Sequence, residues 1–107
     1  MSFEIKQGSR GPSLTATLTK GDGTPQDLTG TTVKFFMRRR RTGTLKIDTG
    51  AVVLVNAALG QVRYDWGAND TDTPGMYRGE FEVTNGSPSP VRFPGGPYIS
   101  VHVVAKV

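Results

Sequence analysis

Cysteine is absent from the 107-residue chain, and histidine occurs once, at His102. The absence of cysteine excludes disulfide bonds, thiolate metal sites and cysteine nucleophiles. A single histidine also excludes a histidine-rich metal cluster and a relay between two histidines. No apolar run approaches the roughly 18 residues of a membrane-spanning helix, and the first residues do not resemble a secretory signal peptide. We therefore expect synthesis in the cytoplasm and no membrane as a partner.

Long amphipathic helices are also missing from the sequence pattern. Apolar and polar residues instead alternate with a period of two, which is typical of half-buried strands. The 14 glycines and 7 prolines fall largely between these segments, as turn residues do. About seven such strands predict an all-β fold, an antiparallel immunoglobulin-like β-sandwich without a disulfide. The residues expected to face inward are Leu14, Leu18, Val33, Phe35, Val53, Val62, Tyr64, Trp66, Tyr77, Phe81, Val83, Ile99 and Val101.

A local motif supports the sandwich. Asp72 and Gly75 precede Tyr77, which opens a predicted strand. In immunoglobulin-like sandwiches a tyrosine at this place packs its ring into the core and donates a hydrogen bond to the backbone a few residues upstream. We interpret Asp72, Gly75 and Tyr77 as a structural corner. The predicted domain organisation is an N-terminal arm over residues 1–10 and a sandwich over residues 11–107.

The net charge of +4 depends strongly on one basic run, Arg38, Arg39, Arg40 and Arg41. Four guanidinium groups are able to bind phosphate or an acidic protein surface through charge and paired hydrogen bonds. Because alternate side chains of a strand point to opposite faces, all four meet one partner only if the run leaves the strand. Residues 42–44 predict a hairpin tip at this point, where the run is solvated or faces a partner. No interleaved aromatic residues or recognition helix favour nucleic acid.

Other residues are candidate contacts with a protein partner. Phe36 faces away from Phe35, either as a second-layer core residue or as a contact for a neighbouring subunit. The arm carries Phe3 and Ile5 and is able to extend the sheet of a neighbour through backbone pairing. Pro94 and Pro97 flank a rigid corner before the last predicted strand.

Nothing in the sequence predicts catalysis, a cofactor or a metal. No two carboxylates are placed to flank a pocket, and no serine lies in a nucleophile elbow. The acidic segment 69–72 lacks the glycine and glutamate spacing of a calcium-binding loop and favours a turn. His102 is expected on the outward face of the last strand. We therefore expect no enzyme.

Five segments of the chain resemble a bacteriophage family. They are FEIKQG (3–8), GPSLTATL (11–18), DLTGTTV (27–33), GQVRYDW (60–66) and DTDTPGMYRGEF (70–81). They resemble the immunoglobulin-like N-terminal domain of phage baseplate upper proteins and related small virion proteins, from about residue 3 to residue 104. The resemblance implies a structural part of the virion that is bound to other phage virion proteins. A homo-oligomer is a further option for its assembly, and the sequence does not distinguish a ring, a trimer and a monomer. The chain is shorter than the long baseplate proteins, which favours a free-standing accessory protein.

Two further functions are compatible with such a sandwich. One is decoration of the capsid surface or another head-associated accessory role, which the residues do not separate from a tail or baseplate position. The other is a carbohydrate-binding adhesion module. Such modules stack sugars on exposed aromatic rings, and here Tyr64 and Trp66 are predicted to be core, which leaves Phe93 and Tyr98.

Overall fold

Short alternating segments form nine strands and one 3-10 helix in the described part of the computed structural model, which comprises residues 2–20, 22–84, 91–93 and 99–107. The strands are β1 (Ser2–Lys6), β2 (Leu14–Thr17), β3 (Thr32–Arg39), β4 (Leu45–Ala51), β5 (Val53–Asn56), β6 (Gln61–Tyr64), β7 (Gly75–Thr84), β8 (Val91–Phe93) and β9 (Ile99–Val104). The 3-10 helix spans Ala57–Leu59, between β5 and β6.

Two sheets pack against each other as a β-sandwich. The large sheet has six strands in the order β1-β9-β7-β3-β4, and β8 pairs with β7 beyond the end of β9. The small sheet has three strands in the order β2-β6-β5. The pairing differs from the predicted antiparallel arrangement at one place, because β1 runs parallel to β9. The sandwich is therefore mixed.

Residues 2–6, assigned by the sequence to an arm outside the sandwich, form β1 at the edge of the large sheet. Ile5 is only 3% exposed and lies in the core. The Phe3 ring stacks on the Trp66 ring, with 5.6 Å between the ring centroids. These apolar contacts hold the segment on its own domain, so a boundary at residue 10 does not separate an arm from the sandwich.

An aromatic cluster joins the two sheets. The Phe35 ring of β3 lies 4.8 Å from the Tyr64 ring of β6 and 5.0 Å from the Phe81 ring of β7, between centroids. Trp66 meets Phe35 and Tyr64 edge to face, and its indole nitrogen donates a hydrogen bond to the Pro12 carbonyl oxygen. Such pairs add to the free energy gained by burying the rings themselves.

Two glycines make room for this cluster. A Cβ atom on Gly79 would lie 2.8 Å from Cζ of Phe35, and a Cβ atom on Gly50 would lie 2.7 Å from Cε1 of Tyr64. Both contacts are too close for real side chains. The glycines in β7 and β4 are therefore required by close packing of rings, not by an unusual backbone angle.

Twelve of the thirteen residues predicted to face inward are buried, and Val53 is the exception at 42% exposed. The apolar run over residues 51–55 has no alternation that would reveal which side chains face the core. It is divided between two sheets, since β4 ends at Ala51 and β5 begins at Val53. In β5 Leu54 is partly buried against the core, which turns Val53 outward.

We expect Ile5→Ala to lower the free energy of unfolding by about 2–5 kcal/mol, because it opens a cavity beneath the edge strand. Glu4→Ala, on the exposed side of the same strand, should change it by less than about 0.5 kcal/mol. Chemical denaturation of both variants measures the difference. Equal and small effects would show that β1 contributes nothing to the stability of the sandwich.

We expect Gly79→Ala to lower the free energy of unfolding by about 1–3 kcal/mol through overpacking against Phe35. The same change in a Phe35→Leu background should cost less, because the shorter side chain vacates the space beside Gly79. A double-mutant cycle measured by denaturation tests this coupling. Additive effects would contradict a direct clash between the two positions.

Candidate docking surface

The outward face of the large sheet collects the exposed polar side chains of β3 and β7. Pairing places Arg38 directly opposite Arg78, and Phe36 directly opposite Glu80. Both arginines are exposed, whereas Phe36 is half-buried. Two arginine side chains therefore lie side by side at this end of the outward face.

The four consecutive arginines differ in the contacts that they make within the chain. The Arg38 guanidinium donates a hydrogen bond to the Gly43 carbonyl oxygen (3.1 Å), which braces the β3–β4 hairpin. Arg39 is half-buried at the end of the sheet, where its guanidinium lies 5.9 Å from the centroid of the Tyr77 ring and donates a hydrogen bond to the Pro74 carbonyl oxygen. These two arginines therefore also support the local backbone.

Arg40 continues the pairing of β3 with β7 by one position, since its amide donates a hydrogen bond to the Met76 carbonyl oxygen (3.0 Å). Arg40 and Arg41 are both exposed at the hairpin. A surface cleft of about 490 Å³ lies here, and we call it the arginine cleft. It is lined by Arg39, Arg40, Arg41, Gly75 and Met76.

The corner formed by Asp72, Gly75 and Tyr77 supports one wall of the cleft. The Tyr77 hydroxyl donates a hydrogen bond to the Thr73 carbonyl oxygen (2.7 Å), four residues upstream, as the motif predicts. Gly75 has a φ of +151°, and a Cβ atom there would lie 3.2 Å from Nη2 of Arg39. Glycine at this position therefore allows the guanidinium of Arg39 to lie against the backbone of β7.

Asp72 connects the corner to two other segments. Its carboxylate accepts hydrogen bonds from the Lys46 ammonium group on β4 and from the Thr73 hydroxyl, and its backbone carbonyl accepts one from the Gln7 side chain. The Lys46 hydrogen bond, followed by that of Thr73, lowers the pKa of Asp72 below its ordinary value of 3.8.

The other predicted contacts are distributed differently. Phe36 lies on the outward face, beside the Arg38–Arg78 pair. Phe3 and Ile5 are engaged in the sandwich itself, so the buried Ile5 is not available to a partner. Pro94 and Pro97 lie outside the described residues, as does Tyr98, and nothing is described of the Phe93 side chain. Tyr64 and Trp66 are buried and offer no exposed ring to a sugar.

Met76 and Arg78 belong to the surface but were not among the candidates predicted from the sequence. Met76 is 39% exposed in the cleft. Both residues alternate with the inward Tyr77 in β7, a pattern that indicates exposure but not which side chains of β3 lie opposite them. Only the pairing register brings them beside the arginine run.

The acidic turn over residues 69–72 has a structural function in the described part of the chain. The Asp70 carboxylate accepts hydrogen bonds from the Tyr64 hydroxyl (2.5 Å) and the Gly67 amide (2.6 Å). Burial, and then the hydrogen bond to Asp70, raises the pKa of Tyr64. The described residues contain no group of three histidine, cysteine, aspartate or glutamate side chains placed to hold a metal ion.

A second hollow, of about 440 Å³, lies on the small sheet and is lined by residues of β2, β5 and β6. Val55 lines it at 54% exposed, next to the exposed Val53.

None of the described residues belongs to a helix with the length and hydrophobicity that crossing a membrane requires.

Residues 4–91 match the family model described as the BppU N-terminal domain, where BppU denotes the baseplate upper protein. Among solved structures, the N-terminal domain of phage TP901-1 ORF48 is similar, with a TM-score of 0.67 and 13% sequence identity. The match covers 100% of this chain and 86% of that chain, and at this identity it shows a shared fold. No curated protein sequence matches the chain.

We expect acidification to destabilise the chain in part through Asp72. Because the folded-state pKa of Asp72 lies below its ordinary 3.8, its ion pair stabilises the fold above that pH and loses this effect as the pH falls through the folded pKa. Asp72→Asn and Lys46→Gln should each flatten the fall in stability between about pH 5 and about pH 2. Denaturation at several pH values measures this, and curves parallel to that of the unmodified protein would contradict it.

Proposed function

The chain belongs to the family of baseplate upper protein N-terminal domains, and on that basis we propose that it is a non-enzymatic structural module that docks onto other proteins of the phage tail or baseplate. Membership of the family implies a structural role in the tail or baseplate, contact with other virion proteins and a location in the virion. We further propose that this domain itself makes the docking contact and that it has no catalytic activity.

The residues on the outward face of the large sheet are the observation that supports docking. One sheet face is buried against the small sheet, while the other presents Arg38, Arg78 and the half-buried Phe36 side by side. Interfaces are enriched in arginine and aromatic residues relative to other protein surface. This face therefore has the composition of a docking surface. It is also rigidly supported, because the inward side chains of the same two strands, β3 and β7, form part of the core.

The side-chain chemistry of the described residues supports a structural module. The carboxylates of Asp70 and Asp72 each accept hydrogen bonds that organise turns and connect strands. The buried hydroxyl of Thr71 donates a hydrogen bond to the Ser9 carbonyl oxygen and so closes the turn onto the N-terminal segment. These polar groups stabilise the fold, as expected in a domain that serves as a structural support for a binding surface.

The protein content of purified phage particles tests this proposal. Quantitative mass spectrometry of whole virions, and of tails separated from heads, should find the chain in the virions and in the tail fraction. Its amount should be comparable to that of other tail components, because a structural module is present in fixed numbers. Absence from virions, or recovery with heads alone, would overturn the tail or baseplate assignment.

A further inference from the structure

The arginine cleft and the adjoining Arg38–Arg78 pair concentrate positive charge at one end of the sandwich. Arg39, Arg40 and Arg41 line the cleft, and Arg38 and Arg78 lie one strand position further along the outward face. An anion that enters this region would be attracted by several guanidinium groups at once.

Two of these arginines are oriented before any partner arrives. Arg38 is held by the Gly43 carbonyl oxygen, and Arg39 is held by the Pro74 carbonyl oxygen and the Tyr77 ring. Binding normally requires the ordering of long side chains, at a cost in conformational entropy. Contacts already made in the folded chain reduce that cost here.

The cleft also has an apolar wall. Met76 lines it at 39% exposed, and Gly75 presents only backbone. Met76 further lines a neighbouring hollow of about 300 Å³ with Glu4 and His102. A partner that carries only negative charge would leave this methionine without a contact, whereas an apolar side chain between carboxylates would cover it.

The same face limits how far a negatively charged partner extends. Glu80 lies opposite Phe36 and Glu82 opposite Lys34, so carboxylates follow the arginines along β7. Glu4 lies across β9 from Met76, in the same row of paired residues. A nucleic-acid backbone that ran along β7 with a phosphate at every nucleotide would meet Glu80 and Glu82, while a short acidic peptide in the cleft would not extend that far.

We propose that the arginine cleft binds a short acidic segment of a neighbouring virion protein, with glutamate or aspartate side chains on the arginines and an apolar side chain against Met76. This inference rests on the proposed docking function and adds the chemistry of the partner. It assigns Arg40, Arg41 and Met76 as binding residues, whereas Arg38 and Arg39 combine binding with support of the hairpin and the corner.

A direct binding measurement tests the proposal. Fluorescence anisotropy of the purified chain would follow a labelled peptide with glutamates on both sides of a leucine, its glutamine analogue, and an oligothymidine of the same net charge. The acidic peptide should bind, the glutamine analogue should not, and the oligothymidine should bind more weakly. Absence of peptide binding, equal binding of the glutamine analogue, or tighter binding of the oligothymidine would overturn the proposal.

Variants locate the site. Arg40→Gln and Arg41→Gln should each weaken peptide binding about two- to fivefold, as expected for exposed charge pairs. Arg41→Lys should retain most of the affinity. Met76→Gln should weaken binding without a change of charge. This result would distinguish binding at a specific site from non-specific electrostatic attraction. Lys20→Gln removes one positive charge from an exposed loop elsewhere and serves as the matched control. An equal loss in that control would overturn the assignment.

The two proposals fail in distinguishable ways. Presence of the chain in tails with no peptide binding would remove only the acidic partner. Peptide binding that depends on Arg41 and Met76, by a chain absent from virions, would retain the site and remove the tail or baseplate assignment. Thermal unfolding of each variant confirms that lost binding does not arise from lost folding.

Discussion

The packing of Phe35 between the two sheets is the contact on which the rest of the structure depends. Its ring touches Tyr64 across the sandwich and Phe81 on the neighbouring strand, and the space it fills exists because Gly79 carries no side chain. Protein interiors are close-packed, so a ring of this size admits few alternative positions. Phe35 therefore aligns β3 with β7 and holds the large sheet against the small one, in a chain that has no disulfide to do so.

The same alignment creates the docking surface. Successive side chains of a strand point to opposite faces, so the register that buries Phe35 opposite Phe81 also places Arg38 opposite Arg78 and extends the pairing to Arg40 and Met76. A shift of one residue would exchange the two faces of β3 and expose the core. Charge on the outside and packing on the inside are thus two results of one pairing pattern, which gives the surface the rigidity of the core.

Local patterns in the sequence account for much of the sandwich. Alternation identified the inward residues of β3, β6, β7 and β9, and the motif that ends in Tyr77 predicted a hydrogen bond found at 2.7 Å to the Thr73 carbonyl oxygen. Alternation failed where it was absent, as in the apolar run that contains Val53. It also did not reveal β4, whose Leu45–Ala51 segment has few strand-forming residues and is held by pairing with β3. The parallel pairing of the edge strand β1 was not predicted, because pairing between the two ends of the chain leaves no pattern in the local sequence.

Composition and alternation are sufficient to specify an all-β sandwich, its main core residues and a basic hairpin, because each of these follows from neighbours close in the sequence. The tertiary structure decided which arginines support the fold, which line a cleft, and which residues of β7 join them. It also decided that Phe3 and Ile5 belong to the sandwich. These outcomes depend on contacts between segments far apart in the chain, such as Arg38 with Arg78 and Phe3 with Trp66. Strand register and sheet packing set such contacts, and both are properties of the whole domain.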